Sequence, residues 1–308
     1  MINIVQYRRI PFFLSAVLFG TSVIALIAFG LKPGIDFTGG SLLEFSFEGE
    51  RPAQAEVNEL LTNNDLEPTV IQTSGEDGFI VRLPFLSEEE HQKALTVVRE
   101  AYPGQSATST PRVREDRFEK VEPTISAELR SRALLAAAAV LIGIILYVAY
   151  TFRKVTEPVS SWKYGLIAIF TLVHDVLITM GVLAFLGRFL GVEIDIAIVV
   201  ALLTILGYSV NDTIIVFDRV RENILRRGTA NFAETVDMSL KQTMVRSLNT
   251  SLTAELSLLA IFFFGGDSVH YFALTLIVGM FIGSYSSIFL ASPLLVEFYN
   301  WQRRKATK

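Results

Sequence analysis

Gly207-Tyr208-Ser209-Val210-Asn211-Asp212-Thr213 interrupts an apolar run that extends from about Ile194 to Phe217. A carboxylate at mid-span costs roughly 2.5 to 3.5 kcal/mol on insertion scales, so Asp212 in this stretch demands a partner or a purpose. On a 3.6-residue period Thr204, Tyr208, Asn211 and Asp212 fall on one side of a helix, forming a polar stripe that can avoid lipid. Asp212 either glues helices together or marks an ion or proton route. Intramembrane acids favour the second reading.

The rest of the composition agrees with a membrane setting. Of 308 residues 51% are hydrophobic and the mean hydropathy is +0.45, which is too apolar for a soluble protein. The net charge of -4 is unevenly spread: acids crowd Asp36 to Glu128, and basic residues flank the apolar runs. Nucleic acid is therefore not an expected partner. The absence of Cys excludes disulfides, thiolate metal sites and cysteine nucleophiles. No metal and no cofactor is expected.

The run from Pro11 to about Leu31 is close to the ~20 residues that a spanning helix needs, and it is too long for a cleaved signal peptide. It reads as an uncleaved anchor. Further runs cover about Ala133 to Phe152, Tyr164 to Leu186, Ile194 to Phe217, Leu248 to Phe264 and Tyr271 to Tyr299, giving six spans. Arg8, Arg9, Arg153, Lys154, Lys163, Arg219, Arg221, Arg226, Arg227, Lys241, Arg246, Arg303, Arg304 and Lys305 all fall on one side of such a chain. That side is the cytoplasm by the positive-inside rule, so both termini are expected inside.

The expected organisation is a cytoplasmic start and first span (1–32), an outer domain (33–132), five more spans (133–299) and a basic cytoplasmic tail (300–308). The outer domain reads as α+β. Strands are expected from Ser41, over Thr69 to Thr73, over Phe79 to Leu83 and near Arg112; helices are expected over Ala53 to Leu61 and from Ser87 to Tyr102, with Glu90 completing a cap at Ser87. This βαββαβ order is a ferredoxin-like pattern. His91 reads as lying on a polar helix face, with no metal role. Gly34, Gly39 and Gly40, in Gly34-Ile35-Asp36-Phe37-Thr38-Gly39-Gly40, read as a structural hinge, because the stretch lacks the Lys-Ser/Thr ending of a phosphate loop.

Polar residues recur inside other spans. His174 and Asp175 sit near the middle of the third span with Thr171, as a proton relay or as a hydrogen-bonded packing pair. Arg246 opens a stripe with Asn249, Thr250, Thr253 and Ser257 in the fifth span. Arg246 either snorkels to the interface or pairs with Asp212 and releases it on protonation. Glu255 points away from that stripe. Gly279, Gly283, Ser287 and Ala291 form a small-residue ridge for close packing in the sixth span.

"GIDFTGG" at 34–40, "HDVLITMG" at 174–181, "GYSVNDTIIVFDRVREN" at 207–223, "RSLNTSLT" at 246–253 and "GSYSSIFLASPLL" at 283–295 resemble the SecD/SecF family of protein-export membrane proteins, in order and over nearly the whole chain. The resemblance implies a non-enzymatic subunit that pairs with SecD and associates with SecYEG, with YajC among its partners. Such a subunit uses the proton-motive force to help unfolded polypeptide complete its passage across the bacterial inner membrane. It also implies a membrane part like that of resistance-nodulation-division transporters. Asp212 matches the family's membrane aspartate implicated in proton passage, and Arg246 and Asn249 match its polar partners. Glu122 and Glu255 depart from the family's usual residues. A proton-coupled small-molecule efflux transporter is the alternative, though it would be expected to contain two such six-span halves. An intramembrane aspartyl protease built on Asp175 and Asp212 would need facing carboxylates that share a proton.

Overall fold

A computed structural model of the chain describes residues 4–103, 112–153, 159–228 and 231–306. The chain divides into two compact units, residues 1–32 with 135–308 and residues 33–134.

The first unit is helical. Helix α1 is Arg9–Phe29, and it is followed in the second unit by the short helix α2, Ile35–Thr38. Two further helices of the second unit, α3 (Gln54–Thr62) and α4 (Glu88–Ala101), precede the long helices α5 (Pro123–Phe152), α6 (Ser161–Leu190), α7 (Ile196–Arg227), α8 (Phe232–Phe264) and α9 (Asp267–Ser286). Helix α9 passes through a π turn, Ser287–Ala291, into α10, Ser292–Ala306. Among the described residues, six helices are long and apolar enough to cross a membrane, with α9, the π turn and α10 forming the sixth.

Burial separates these six into two classes. The apolar windows of α6, α7 and the last span are 56%, 50% and 67% buried, against 11%, 6% and 11% for α1, α5 and α8. The first three therefore form the inside of the unit. Small residues permit their close approach: a Cβ on Gly279 would lie 2.1 Å from Ile205 Cδ1, and one on Gly283 would lie 3.0 Å from Ser209 Cβ. The expected ridge of the sixth span is thus the surface that meets α7. Gly181 of α6 packs equally tightly on α1, where its Cβ would lie 2.6 Å from Ser22 Cα.

Several helices extend past their apolar runs. Helix α7 continues to Arg227 and α8 begins at Phe232, and these polar ends pair. Asn223 Nδ2 donates to Ser239 Oγ and Gln242 Oε1, both at 2.8 Å, and Arg219 Nε donates to Gln242 Oε1 at 2.6 Å. Phe152, Tyr164 and Phe217 close the bundle nearby, with Tyr164 centred 5.3 Å from each of the other two rings.

The second unit is built on strands β1 (Gly40–Phe47), β2 (Val70–Ser74), β3 (Gly78–Leu83) and β4 (Val113–Val121). They pair antiparallel in the order β2-β3-β1-β4, which is the ferredoxin-like order. Alternate strand residues, including Leu43, Phe45, Phe47, Phe79 and Val81, bury against Val57 and Leu61 of α3 and Leu95 and Val98 of α4. Ser87 and Glu90 form the expected reciprocal cap at the start of α4. Glu122 is exposed, and its carbonyl accepts from Ser126 N–H as α5 begins at Pro123. Proline suits that first helical position.

Two features of this unit differ from the sequence expectation or sharpen it. His91 is buried, not on a polar face: its ring stacks on Phe118 at 3.7 Å, with Nε2 2.9 Å from Glu115 Oε1 and Nδ1 3.3 Å from Glu88 Oε1. Glu88 on the same helix and Glu115 on β4 hold the imidazole inside. Gly39 and Gly40 have φ of +74° and +114°, and a Cβ on Gly40 would lie 2.7 Å from the Leu83 carbonyl oxygen. This glycine pair is a close-packed corner that turns α2 directly into β1.

Candidate functional site

The polar residues of the inner helices converge on two buried carboxylates. Asp175 on α6 is fully buried. It accepts from Ser209 Oγ of α7 at 2.5 Å and from Ser286 Oγ of α9 at 2.7 Å, and His174 Nδ1 lies 2.9 Å from its other oxygen. Two hydroxyl donors and the His174 ring nitrogen around one carboxyl compensate for much of its lost hydration. His174 stacks on Phe19 of α1, and its Nε2 has no hydrogen-bond partner among the described residues.

Asp212 on α7 is buried too, and it accepts a hydrogen bond from Ser287 Oγ at the first residue of the π turn. π turns inside α-helices occur frequently at functional sites. Consecutive serines of the last span thus reach different acids, Ser286 to Asp175 and Ser287 to Asp212. The two carboxylates bond different serines, and no hydrogen bond between them is present among the described residues. The geometry gives no support to a shared-proton protease pair.

A second chain of hydroxyls runs beside them. Tyr208 OH donates to Ser251 Oγ of α8 at 2.8 Å, and Ser251 Oγ lies 2.6 Å from Ser284 Oγ of α9. Ser284 in turn offers its carbonyl oxygen to Ser287 Oγ at 3.1 Å. Hydroxyls therefore link three helices around the two acids.

The remaining expected site residues lie elsewhere. Asn211, Arg246 and Asn249 are exposed, as are Thr204, Thr250, Thr253 and Ser257. Among the described residues no ion pair joins Arg246 to Asp212. The stripe on α8 is real, but it faces outward on a helix whose apolar window is only 11% buried. Its hydroxyls return to their own helix: Thr250 donates to the Arg246 carbonyl at 2.9 Å and Thr253 to the Asn249 carbonyl at 2.7 Å. Among the described residues the Arg246 guanidinium and the Asn211 and Asn249 amides make no such bond. Glu255 is half-buried on the same helix.

The sequence reading overlooked Ser209, Ser251, Ser284 and Ser286 as site residues and treated Ser287 as packing alone. Ser209 stands three residues before Asp212, a spacing that shares a helix face. The run Ser284-Tyr285-Ser286-Ser287 is the other available signal.

The family described as protein export membrane protein SecD/SecF, C-terminal, matches residues 104–301, and the SecD/SecF GG motif matches residues 24–50, which include Gly39 and Gly40. The chain is 41% identical to a protein translocase subunit SecF of Thermobaculum terrenum, covering 97% of this chain and 95% of that protein. It is 37% identical to a protein translocase subunit SecF of Pseudomonas aeruginosa, covering 96% and 90%. It resembles the crystal structure of SecDF, a translocon-associated membrane protein from Thermus, with a TM-score of 0.78 and 34% identity. That match covers 97% of this chain and 39% of the SecDF chain, so the present chain spans well under half of that longer protein. With helices, sheet order and glycine corner in place and identity sustained from end to end, the chain belongs to the SecD/SecF family of protein-export membrane proteins.

Proposed function

We propose that this chain is a subunit of the Sec protein-export machinery of the bacterial inner membrane, with both termini in the cytoplasm. In this reading it pairs with a SecD partner, associates with SecYEG, and uses the proton-motive force to promote late translocation of unfolded polypeptide. Protons are its coupling ion. It carries out no covalent chemistry.

One observation carries the reading: a buried carboxylate, Asp212, lies next in sequence to Asn211 on the exposed side of α7, and α8 carries Arg246 and Asn249 exposed. Polar groups of that kind are costly against hydrocarbon. A second membrane subunit that covers the face would remove that cost and could bring further charged groups toward Asp212. The SecDF relative is much longer than this chain, which covers 39% of it.

Asp212 would be the proton carrier, with Arg246, Asn249 and Asn211 on the covered face and His174 with Asp175 behind it. Protonation discharges a carboxylate and changes which neighbours it can bind. Each elementary charge that crosses 100 mV releases about 2.3 kcal/mol, enough to shift a two-state element more than tenfold. Gly34, Gly39 and Gly40 would be the corner about which the outer domain responds.

The test is Asp212→Asn in the full chain, reconstituted with SecD and SecYEG. Gradient-stimulated export should disappear while assembly and gradient-independent export persist. Undiminished stimulation would refute the proton-carrier role.

A further inference from the structure

Ser287 has one hydroxyl proton and two acceptors within reach. Its Oγ bonds Asp212 Oδ2 across the interface with α7, and it lies 3.1 Å from the Ser284 carbonyl oxygen one turn back in its own helix. A hydroxyl donates once, so these acceptors compete. The charge on Asp212 decides the outcome. A hydrogen bond to a carboxylate is roughly twice as strong as one to a neutral acceptor, whereas a protonated carboxyl is itself neutral and becomes a donor.

We infer that Ser287 is a positioning residue that reports the protonation of Asp212 to the last span. With the carboxylate ionised, the hydroxyl bridges α7 to the π turn. With the carboxyl protonated, the hydroxyl returns to the Ser284 carbonyl, and the charge-assisted bridge is replaced at most by a weaker neutral bond that the carboxyl donates to Ser287 Oγ. The inference rests on the reading of Asp212 as the proton carrier.

Three observations favour Ser287 over its neighbours. Ser287 is the only hydrogen-bond donor to the Asp212 side chain among the described residues, so nothing else holds that contact when it goes. Ser286 has a similar choice between Asp175 Oδ2 at 2.7 Å and the Gly283 carbonyl at 3.1 Å, but Asp175 keeps Ser209 and His174 whichever way Ser286 turns. Ser287 also opens the π turn, and Ser292 Oγ donates to the Ser287 carbonyl at 3.1 Å. The regular i to i+4 ladder is already broken where the bridge attaches, so the last span can shift there without first breaking an α-helix. Other titratable groups on the surrounding helices include Tyr164, His174 and Asp175 on α6, Tyr208 and Asp218 on α7, Arg246 and Glu255 on α8, and Tyr285 on α9.

The chain has no native Cys, so paired spin labels can be placed without further changes. Val200→Cys on α7 and Phe281→Cys on α9, both at exposed positions, would be labelled in the full chain assembled with its SecD partner in proteoliposomes. Acidification should shift the α7-to-α9 distance distribution in the parent. The shift should be lost in Asp212→Asn, lost in Ser287→Ala, kept in Ser287→Thr and kept in Ser286→Ala. A full shift in Ser287→Ala, a lost shift in Ser287→Thr or no shift in the parent would overturn the inference. A shift that persists in Asp212→Asn would instead overturn the proton-carrier reading on which it stands.

Discussion

Gly279 of α9 and Ile205 of α7 are packed so closely that a Cβ on the glycine would lie 2.1, 2.5 and 2.9 Å from Ile205 Cδ1, Cγ1 and Cγ2. Rotating the end of the isoleucine relieves only the first of these approaches; Cγ1 and Cγ2 move only with χ1, which a helix restricts for a β-branched side chain, so the helices must separate. Gly279→Ala should therefore destabilise the assembled chain by about 1–3 kcal/mol. Gly143→Ala on α5, where nothing lies within 4 Å of the added carbon, should be neutral or stabilising, since alanine exceeds glycine in helix propensity by ~0.8–1.0 kcal/mol. Thermal unfolding of the two variants in the same detergent checks the contrast. Equal midpoints would mean that the α7–α9 contact is looser than the structure has it.

Arg246 gives the opposite pattern, because it is exposed and makes no ion pair among the described residues. Arg246→Ala should leave the stability of the isolated chain within about 0.5 kcal/mol, as for other surface positions. In the complex, the same change should lower recovery of the SecD partner or abolish gradient-stimulated export. Thermal unfolding of the chain alone, beside co-purification and export assays on the complex, separates these effects. A large loss of stability in the isolated chain would place Arg246 in an intramolecular role.

These contrasts also mark what could be read without coordinates. Apolar runs located the membrane helices because length and hydropathy are sufficient for a segment solvated by lipid. They missed the polar ends of α7 and α8, which pair with each other through Asn223, Ser239 and Gln242 and carry no hydropathy signal. Strand alternation and the Ser87–Glu90 spacing sufficed for the four-stranded sheet and its helices. His91 was misplaced because what buries it, Phe118 and Glu115, comes from β4 and leaves no mark on the acidic sequence around it. At the site the acids were legible, since a carboxylate in a span is costly wherever it points. Their serine donors were not, because a serine in an apolar helix serves equally well as a small packing residue. Only the coordinates separate Ser286 and Ser287, adjacent in sequence and bonded to different acids.

Asp237 ties the start of the chain to α8. Its buried carboxylate accepts from Ile4 N–H at 2.8 Å and Val5 N–H at 3.4 Å, and Lys241 Nζ sits 2.5 Å from its other oxygen. Hydrogen bonds to a charged group contribute about 1.5–3 kcal/mol. Asp237→Ala should release residues 4–8 with little effect on the rest of the bundle, and limited proteolysis should find cleavage there several-fold faster than in the parent. Unchanged protection would mean that burial of Ile4 and Val5, together with the Arg8–Glu297 ion pair, holds the segment without Asp237.

The cap of α4 offers a pH test outside the membrane. The Ser87 backbone N–H, which donates to Glu90 Oε2 at 2.7 Å, is the main cause holding the Glu90 carboxyl below its ordinary value, and the Ser87 side chain adds to it. Glu88 is lowered as well, first by Gln92 and then by His91. A carboxyl whose folded value is depressed stabilises the fold fully above its unfolded value, about 4.3 for glutamate, and that contribution is lost as pH falls through the lower folded value. Amide protection in the first turn of α4 should therefore decline on acidification below about pH 4, after correction for intrinsic exchange. Glu90→Gln keeps an acceptor oxygen but carries no charge to lose, so its protection should start lower at neutral pH and vary less. Hydrogen exchange on the full chain at neutral and acidic pH measures both. A parent profile as flat as that of Glu90→Gln would mean that the carboxylate contributes nothing to the cap beyond what a neutral amide supplies.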